Sequence, residues 1–110
     1  MKRHEMKLAK VPFDKLAAGV KTVESRLYDD KRRGVAVGDE IVFRLNENPE
    51  VTVTRRVVSL HVYPNFRSMM ADLPAGRFGW DTAEEATAEI ERHYFAEDQE
   101  KFGVIGIGLG

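Results

Sequence analysis

The sequence predicts one α+β domain whose sheet is mainly antiparallel and curls into a small barrel, with short helices packed at its ends. Three observations point there. Strand-like segments cluster in the middle of the chain instead of alternating with helices, which argues against a doubly wound parallel sheet. The 110 residues suit a single domain over 1–110, with no repeat, low-complexity tract or Gly/Ser linker. The last apolar strand carries Gly103, Gly106 and Gly108, which suit a strand bent at a barrel corner.

The elements follow in order. Residues 3–9 alternate, with His4, Met6 and Leu8 against Arg3, Glu5 and Lys7, as a half-buried strand does. Pro12 suits a first helical turn, Phe13, Leu16 and Ala17 fall at helical spacing, and Gly19 stops a helix of about two turns. Residues 20–28 read as a strand rich in β-branched side chains. The run from Asp29 to Gly34, five charges and a glycine, reads as a loop. Ile41-Val42-Phe43 opens a strand that Asn46-Glu47-Asn48-Pro49 closes, and residues 51–63 form the longest β-rich run, with a phase slip near Arg55-Arg56 that suggests a bulge. Phe66, Met69, Met70 and Leu73 make a short helix capped by Asn65. Thr82-Ala83-Glu84-Glu85 matches a capping box for a helix whose apolar stripe reaches about residue 95, and Glu97 to Glu100 add one further turn.

Composition excludes several kinds of chemistry. With no cysteine there is no disulfide, no thiol nucleophile and no cysteine-held zinc or iron–sulfur cluster. His4, His61 and His93 form no metal-spaced motif, and no cofactor is expected. No apolar run approaches the roughly 18 residues of a membrane span, and the N-terminus leads into no signal-peptide core, so a cytoplasmic protein is expected. The formal net charge of −1 conceals a split. Residues 1–67 hold 14 Lys and Arg against 9 Asp and Glu, a balance of +5, and residues 68–110 hold 3 against 9, a balance of −6. Basicity concentrated in one half suits a short anionic ligand better than tracking along a duplex.

The densest chemical segment lies in that basic half: Gly19, Lys21, Glu24 and Arg26, spelling G-x-K-x-x-E-x-R. On a strand Glu24 and Arg26 share a face. Lys21, if it still sits in the preceding turn, can swing toward Glu24. Glu24 could act as a general base or orient the lysine, Lys21 could hold a phosphate or act as a base, and Arg26 could grip a carboxylate or phosphate through paired N–H groups. The same spacing also fits an ion pair that merely pins a strand. Arg32 and Arg33 offer a basic loop tip for phosphates. Phe78 and Trp80 offer rings for stacking on a base or for capping a core. Gly103, Gly106 and Gly108 precede no helix and so cannot cradle a phosphate. His4 reads as a satisfied, partly buried histidine.

The segment resembles the signature of the ASCH domain family, a branch of the PUA-like superfamily, and the likeness to small stand-alone bacterial members runs along nearly the whole chain. It includes His4-Glu5-Met6-Lys7-Leu8, Pro12-Phe13, Arg26-Leu27-Tyr28-Asp29 with Lys31-Arg32-Arg33, Val37 to Phe43, Phe78-Gly79-Trp80, and Lys101 to Ile107. The resemblance implies a PUA-like barrel with a cleft beside the signature, binding RNA, a nucleotide or a nucleoside through Lys21, Arg26, Arg32, Arg33, Phe78 and Trp80. It also implies alternatives. Some members resemble ribonucleases, in which Lys21, Glu24 and Arg26 would be catalytic, with His4 as another base. A related group hydrolyses the amide of N4-acetylcytidine with a lysine, a threonine and a glutamate. Lys21 matches that lysine, Glu24 stands at the threonine position, and no residue here aligns with the glutamate. A third alternative is a non-catalytic domain in which Phe78 and Trp80 meet a protein partner. The sequence leaves the oligomeric state open.

Overall fold

The computed structural model describes residues 1–110. Its elements are β1 (Arg3–Leu8), α1 (Lys10–Ala17), β2 (Val23–Leu27), α2 (Asp30–Arg33), β3 (Glu40–Leu45), β4 (Asn48–Tyr63), α3 (Phe66–Asp72), a 3-10 turn (Ala75–Phe78), α4 (Ala83–Glu91), α5 (Ala96–Phe102) and β5 (Val104–Leu109). The five strands form one sheet in the order β1-β3-β4-β5-β2. Three of its four pairings are antiparallel, and β1 lies parallel to β3. The sheet is a curled half-barrel of the α+β class, as the sequence predicts. No helix is long and apolar enough to cross a membrane.

The long strand β4 makes the curl. It pairs with β3 through Arg56 and with β5 from Val57 onward, and the register slips between Val57 and Ser59. A bulge there bends the strand and passes it from one pairing to the next. The sequence placed this slip near Arg55-Arg56, within a few residues. Arg55 instead donates to the carbonyls of Leu16 and Ala17, which a helix end leaves unpaired, and so ties the C-terminus of α1 to the sheet.

Two apolar clusters fill the molecule. The first lies in the concavity, where Phe13 and Leu16 of α1 meet Ile41, Phe43, Val57, Ile105 and Ile107. The second joins Val23 and Val104 to Phe66, Met69, Met70, Phe78 and Ala86 of the helical region. Glycine in β5 permits both contacts. A Cβ on Gly106 would meet Val23 Cγ1 at 3.3 Å and Met69 Sδ at 3.4 Å, and one on Gly108 would clash with Ser59 Oγ. The terminal glycines therefore serve close approach by helix and neighbouring strand.

Several expectations need correction. The segment from Asp29 to Gly34 is not an open loop. The Asp29 side chain accepts the Arg32 N–H, and α2 winds one helical turn with its basic residues at the C-terminal end, where the helix dipole favours them. The strand expected from residue 20 begins at Val23, because the N–H groups of Val20 and Lys21 both fold back to the Lys15 carbonyl. The helix capped by Thr82 ends at Glu91 rather than near 95, and the turn expected after it is a separate two-turn helix, α5.

One polar clasp holds the N-terminal strand. Asp39, buried at the entry to β3, accepts from the Lys2 N–H at 2.9 Å and the Ala36 N–H at 3.0 Å, and its Oδ2 lies 2.8 Å from His4 Nε2. The His4 hydrogen bond, then the two backbone N–H groups, hold this carboxyl well below the usual carboxylate range. Its contribution is therefore full above its unfolded value of 3.8 and is lost as pH falls through the depressed folded value. Asp39→Asn should lower the thermal midpoint by several degrees at neutral pH and flatten the loss of stability on acidification. An unchanged acid limb in thermal melts would show that the clasp does not govern it.

Candidate functional site

The sheet order leaves β1 and β2 as edges facing each other across an open seam, and the site is built there. Lys21 and Thr22 occupy the turn that carries the chain from α1 into β2. The Thr22 N–H donates to the Arg77 carbonyl and fixes the turn against the 3-10 segment. From this turn Lys21 Nζ reaches Glu24 Oε1 at 3.1 Å. Two residues along β2, Arg26 places Nε 2.9 Å and Nη2 2.8 Å from Glu24 Oε2. The same Nη2 donates at 2.8 Å to the carbonyl of Lys7 in β1, so one guanidinium staples the seam. Lys21, Glu24 and Arg26 therefore converge.

Glu24 is only 3 % exposed and Lys21 8 %. Alternation along β2 does not put Glu24 in solvent, because Val23, Glu24 and Ser25 are all buried. Burial pushes the Glu24 carboxyl up, but Lys21 and Arg26 together outweigh it and the net direction is down. Burial likewise works against the Arg26 cation, and Glu24 more than restores it. Both shifts favour the ionised Glu24–Arg26 pair.

Hydrogen-bond accounting decides the role of Glu24. A carboxylate has about four lone-pair sites. Oε1 faces Lys21 Nζ and the Ser25 N–H, and Oε2 faces Arg26 Nε and Nη2. Each oxygen therefore accepts one hydrogen bond, from the Ser25 N–H or from Arg26 Nε, and faces one cation besides, so both oxygens of Glu24 are engaged within the protein. It is a positioning group. Lys21 has one protein partner for its three N–H groups, and Arg26 Nη1 makes no protein hydrogen bond.

Above the triad opens a cleft of about 500 Å³, within the usual range for small-molecule sites. One wall is apolar and aromatic, from Met70, Phe78, Trp80, Ile90 and Tyr94. Trp80 is held firmly. Lys15 Nζ sits 4.0 Å from the centre of its ring and donates at 2.7 Å to the Gly79 carbonyl. Gly79 has φ +89°, and a Cβ there would lie 2.9 Å from Lys15 Cδ, so the strap requires glycine at this position. Tyr94 packs on Phe66 with ring centres 5.1 Å apart, and burial raises its hydroxyl pKa.

The other expected site residues divide. Trp80 lines the cleft half-buried. Phe78 also lines it but is 2 % exposed, so its ring is core that backs the wall rather than an open stacking surface. Arg32 and Arg33 lie outside the lining. Arg32 pairs with Asp29 at 3.0 Å, while Arg33 stacks over Tyr28 and reaches the Phe102 carbonyl. His4 is committed to Asp39, away from the cleft. Of the two hydroxyl residues that flank Val23 and Glu24, Ser25 lines the cleft and Thr22 does not. No three His, Asp or Glu side chains come together as metal ligands. Sequence reading missed Lys15, the Lys7 carbonyl and Tyr94. Each joins the site from a distant element, and Tyr94 carried only a core-like helical spacing.

The ASCH domain model matches residues 6–109. The chain belongs to the ASCH domain family. This ASCH domain is similar to two solved structures over nearly its whole length. The crystal structure of hypothetical protein PH0355 shares 29% identity at a TM-score of 0.83, over 99% of this chain and 97% of that one. The solution NMR structure of protein PF0455 from Pyrococcus furiosus shares 30% identity at a TM-score of 0.68, over 99% and 96%. No curated protein gives a significant match.

Glu24→Gln keeps the shape of the clamp and removes its charge, leaving two buried cations without a counter-ion. We expect a loss of roughly 3–5 kcal/mol, read as a lower urea midpoint at unchanged slope. A loss below about 1 kcal/mol would mean that the triad is not the buried anchor described.

Proposed function

We propose that this ASCH domain is a cytoplasmic RNA- or nucleotide-binding module whose cleft takes one nucleotide at a time. One observation carries the reading: a cleft of nucleotide size has an aromatic wall on one side and, at its floor, two clamped cations with unspent N–H donors. Lys21 and Arg26 Nη1 bind phosphate or base oxygens by charge-assisted hydrogen bonds. Trp80, braced by Lys15 on one face, offers its ring to a base. Glu24 holds both cations in place. Arg32 and Arg33, engaged with Asp29, Tyr28 and Phe102, are left out of the binding set.

A hydrolase reading asks for a free general base, whereas Glu24 is held by two cations, Lys21 is paired with Glu24, and His4 lies outside the cleft. The binding reading needs no such group. Trp80 is the only tryptophan, so its fluorescence reports the cleft directly. Titration with short single-stranded RNA should give saturable binding at low salt. With about two phosphate contacts, a fourfold rise in salt weakens affinity roughly sevenfold. Lys21→Ala should weaken binding at least about tenfold. Trp80→Ala, followed by calorimetry, should weaken it about 5- to 150-fold. No binding at low salt, or full affinity in both variants, would reject the proposal.

A further inference from the structure

The polar floor of the cleft has a one-sided hydrogen-bonding character. Its one carboxylate, Glu24, accepts from the Ser25 N–H and Arg26 Nε and faces Lys21 Nζ and Arg26 Nη2, so both its oxygens are held from within the protein. The other carboxylate lining the cleft, Glu89 on α4, is engaged at both oxygens, Oε2 by Arg92 at 3.1 Å and Oε1 by His93 at 3.3 Å. The Lys7 carbonyl at the seam is occupied by Arg26. Beside Glu24 the unspent groups are donors, two N–H groups on Lys21 and those of Arg26 Nη1, while the lining groups that can still accept, Glu89, His93 and Asn46, come from outside β2 and the turn before it. The hydroxyls of Ser25 and Tyr94 can donate as well as accept, so they do not change the balance.

Lys21 makes the bias costly to violate. Its side chain is 8 % exposed, so N–H groups that a ligand leaves unmatched are not readily repaired by solvent. Sites whose buried polar groups need a partner reject analogues that lack it. A base entering the cleft presents the edge remote from its sugar. Guanine leads with two adjacent acceptors, O6 and N7, and the uracil ring leads with O4. Adenine leads with an exocyclic amino donor beside N7, so it offers one acceptor where guanine offers two, and cytosine leads with an amino donor.

We propose that the cleft selects keto-bearing bases, guanine first and then uracil, over the amino-bearing bases adenine and cytosine. This rests on the nucleotide-cleft reading above and adds which edge of the base is read. Guanine ranks first because its acceptor pair matches two donor groups, and its two rings cover more of the Trp80 wall. An amino group pressed on Lys21 would set N–H against N–H.

The test is a Trp80 fluorescence titration of the wild-type chain with GMP, UMP, AMP and CMP, repeated by calorimetry. All four carry the same phosphate and sugar, so their ranking isolates the base edge. GMP should bind at least about tenfold more tightly than AMP, and UMP more tightly than CMP in the same sense. IMP, which keeps O6 and N7 without the guanine amino group, should follow GMP. Lys21→Met should bring GMP and AMP to within about twofold of each other. The wild-type ranking stands on its own if that variant fails to fold. Equal affinities for all four nucleotides, or a preference for AMP and CMP, would overturn the selection while leaving nucleotide binding intact. Absence of binding by all four would overturn it as well, and the RNA titration then decides separately whether the cleft binds nucleic acid.

Discussion

The site depends on one buried carboxylate. Glu24 sits between Lys21 and Arg26 with both oxygens engaged, and it is the counter-ion for the buried Lys21 and the part-buried Arg26. Placing three charges out of water is expensive, and a well-packed apolar trio would often be at least as stable. What the carboxylate supplies is position. It draws Lys21 out of the turn after α1, orients the Arg26 guanidinium, and through it joins β2 to the Lys7 carbonyl of β1. The only link across the seam that is drawn by a signature side chain is therefore also the floor of the cleft. Stability and recognition share the same atoms, and a change at Glu24 touches both.

The rest of the fold serves this seam. A closed barrel would pair β1 with β2 and leave no opening. The bulge in β4 curls the sheet far enough to bring the two edges within reach of a single arginine, and no further. The helical region then builds the wall. Gly106 lets Met69 of α3 press on β5, and the next residue along the helix, Met70, faces the cleft. The 3-10 turn carries Phe78 into the second cluster and delivers Trp80 one glycine later, where Lys15 pins it. Apolar packing thus places the aromatic wall, and electrostatics place the floor.

Much of this was legible in the sequence, for identifiable reasons. Alternation in residues 3–9, the Asn65 and Thr82 caps and the glycines of the last strand act locally, and each marks a feature of the structure. The segment from Gly19 to Arg26 announced itself because three charged side chains share one short stretch. Other features were hidden because they depend on tertiary contact. Alternation treats a strand as having a wet side, whereas β2 is covered on both faces from Val23 to Ser25. A charged run reads as a loop until Asp29 caps it into a helix turn. Whether Glu24 is a base or a clamp depends on lone-pair occupancy, which involves the Ser25 N–H and the reach of two cations. Lys15 lies 64 residues from its partner Gly79, and Tyr94 lies 70 residues beyond Glu24 along the chain. No local pattern could join them.

The central claim is that Glu24 is an ionised clamp held at both oxygens. A carbon-13 NMR titration of its side-chain carboxyl in the wild-type chain tests this most directly. The account predicts a midpoint below the ordinary glutamate value of 4.5, because Lys21 and Arg26 overcome the effect of burial. A midpoint raised to about 6 or 7, where a general base operates, would contradict it.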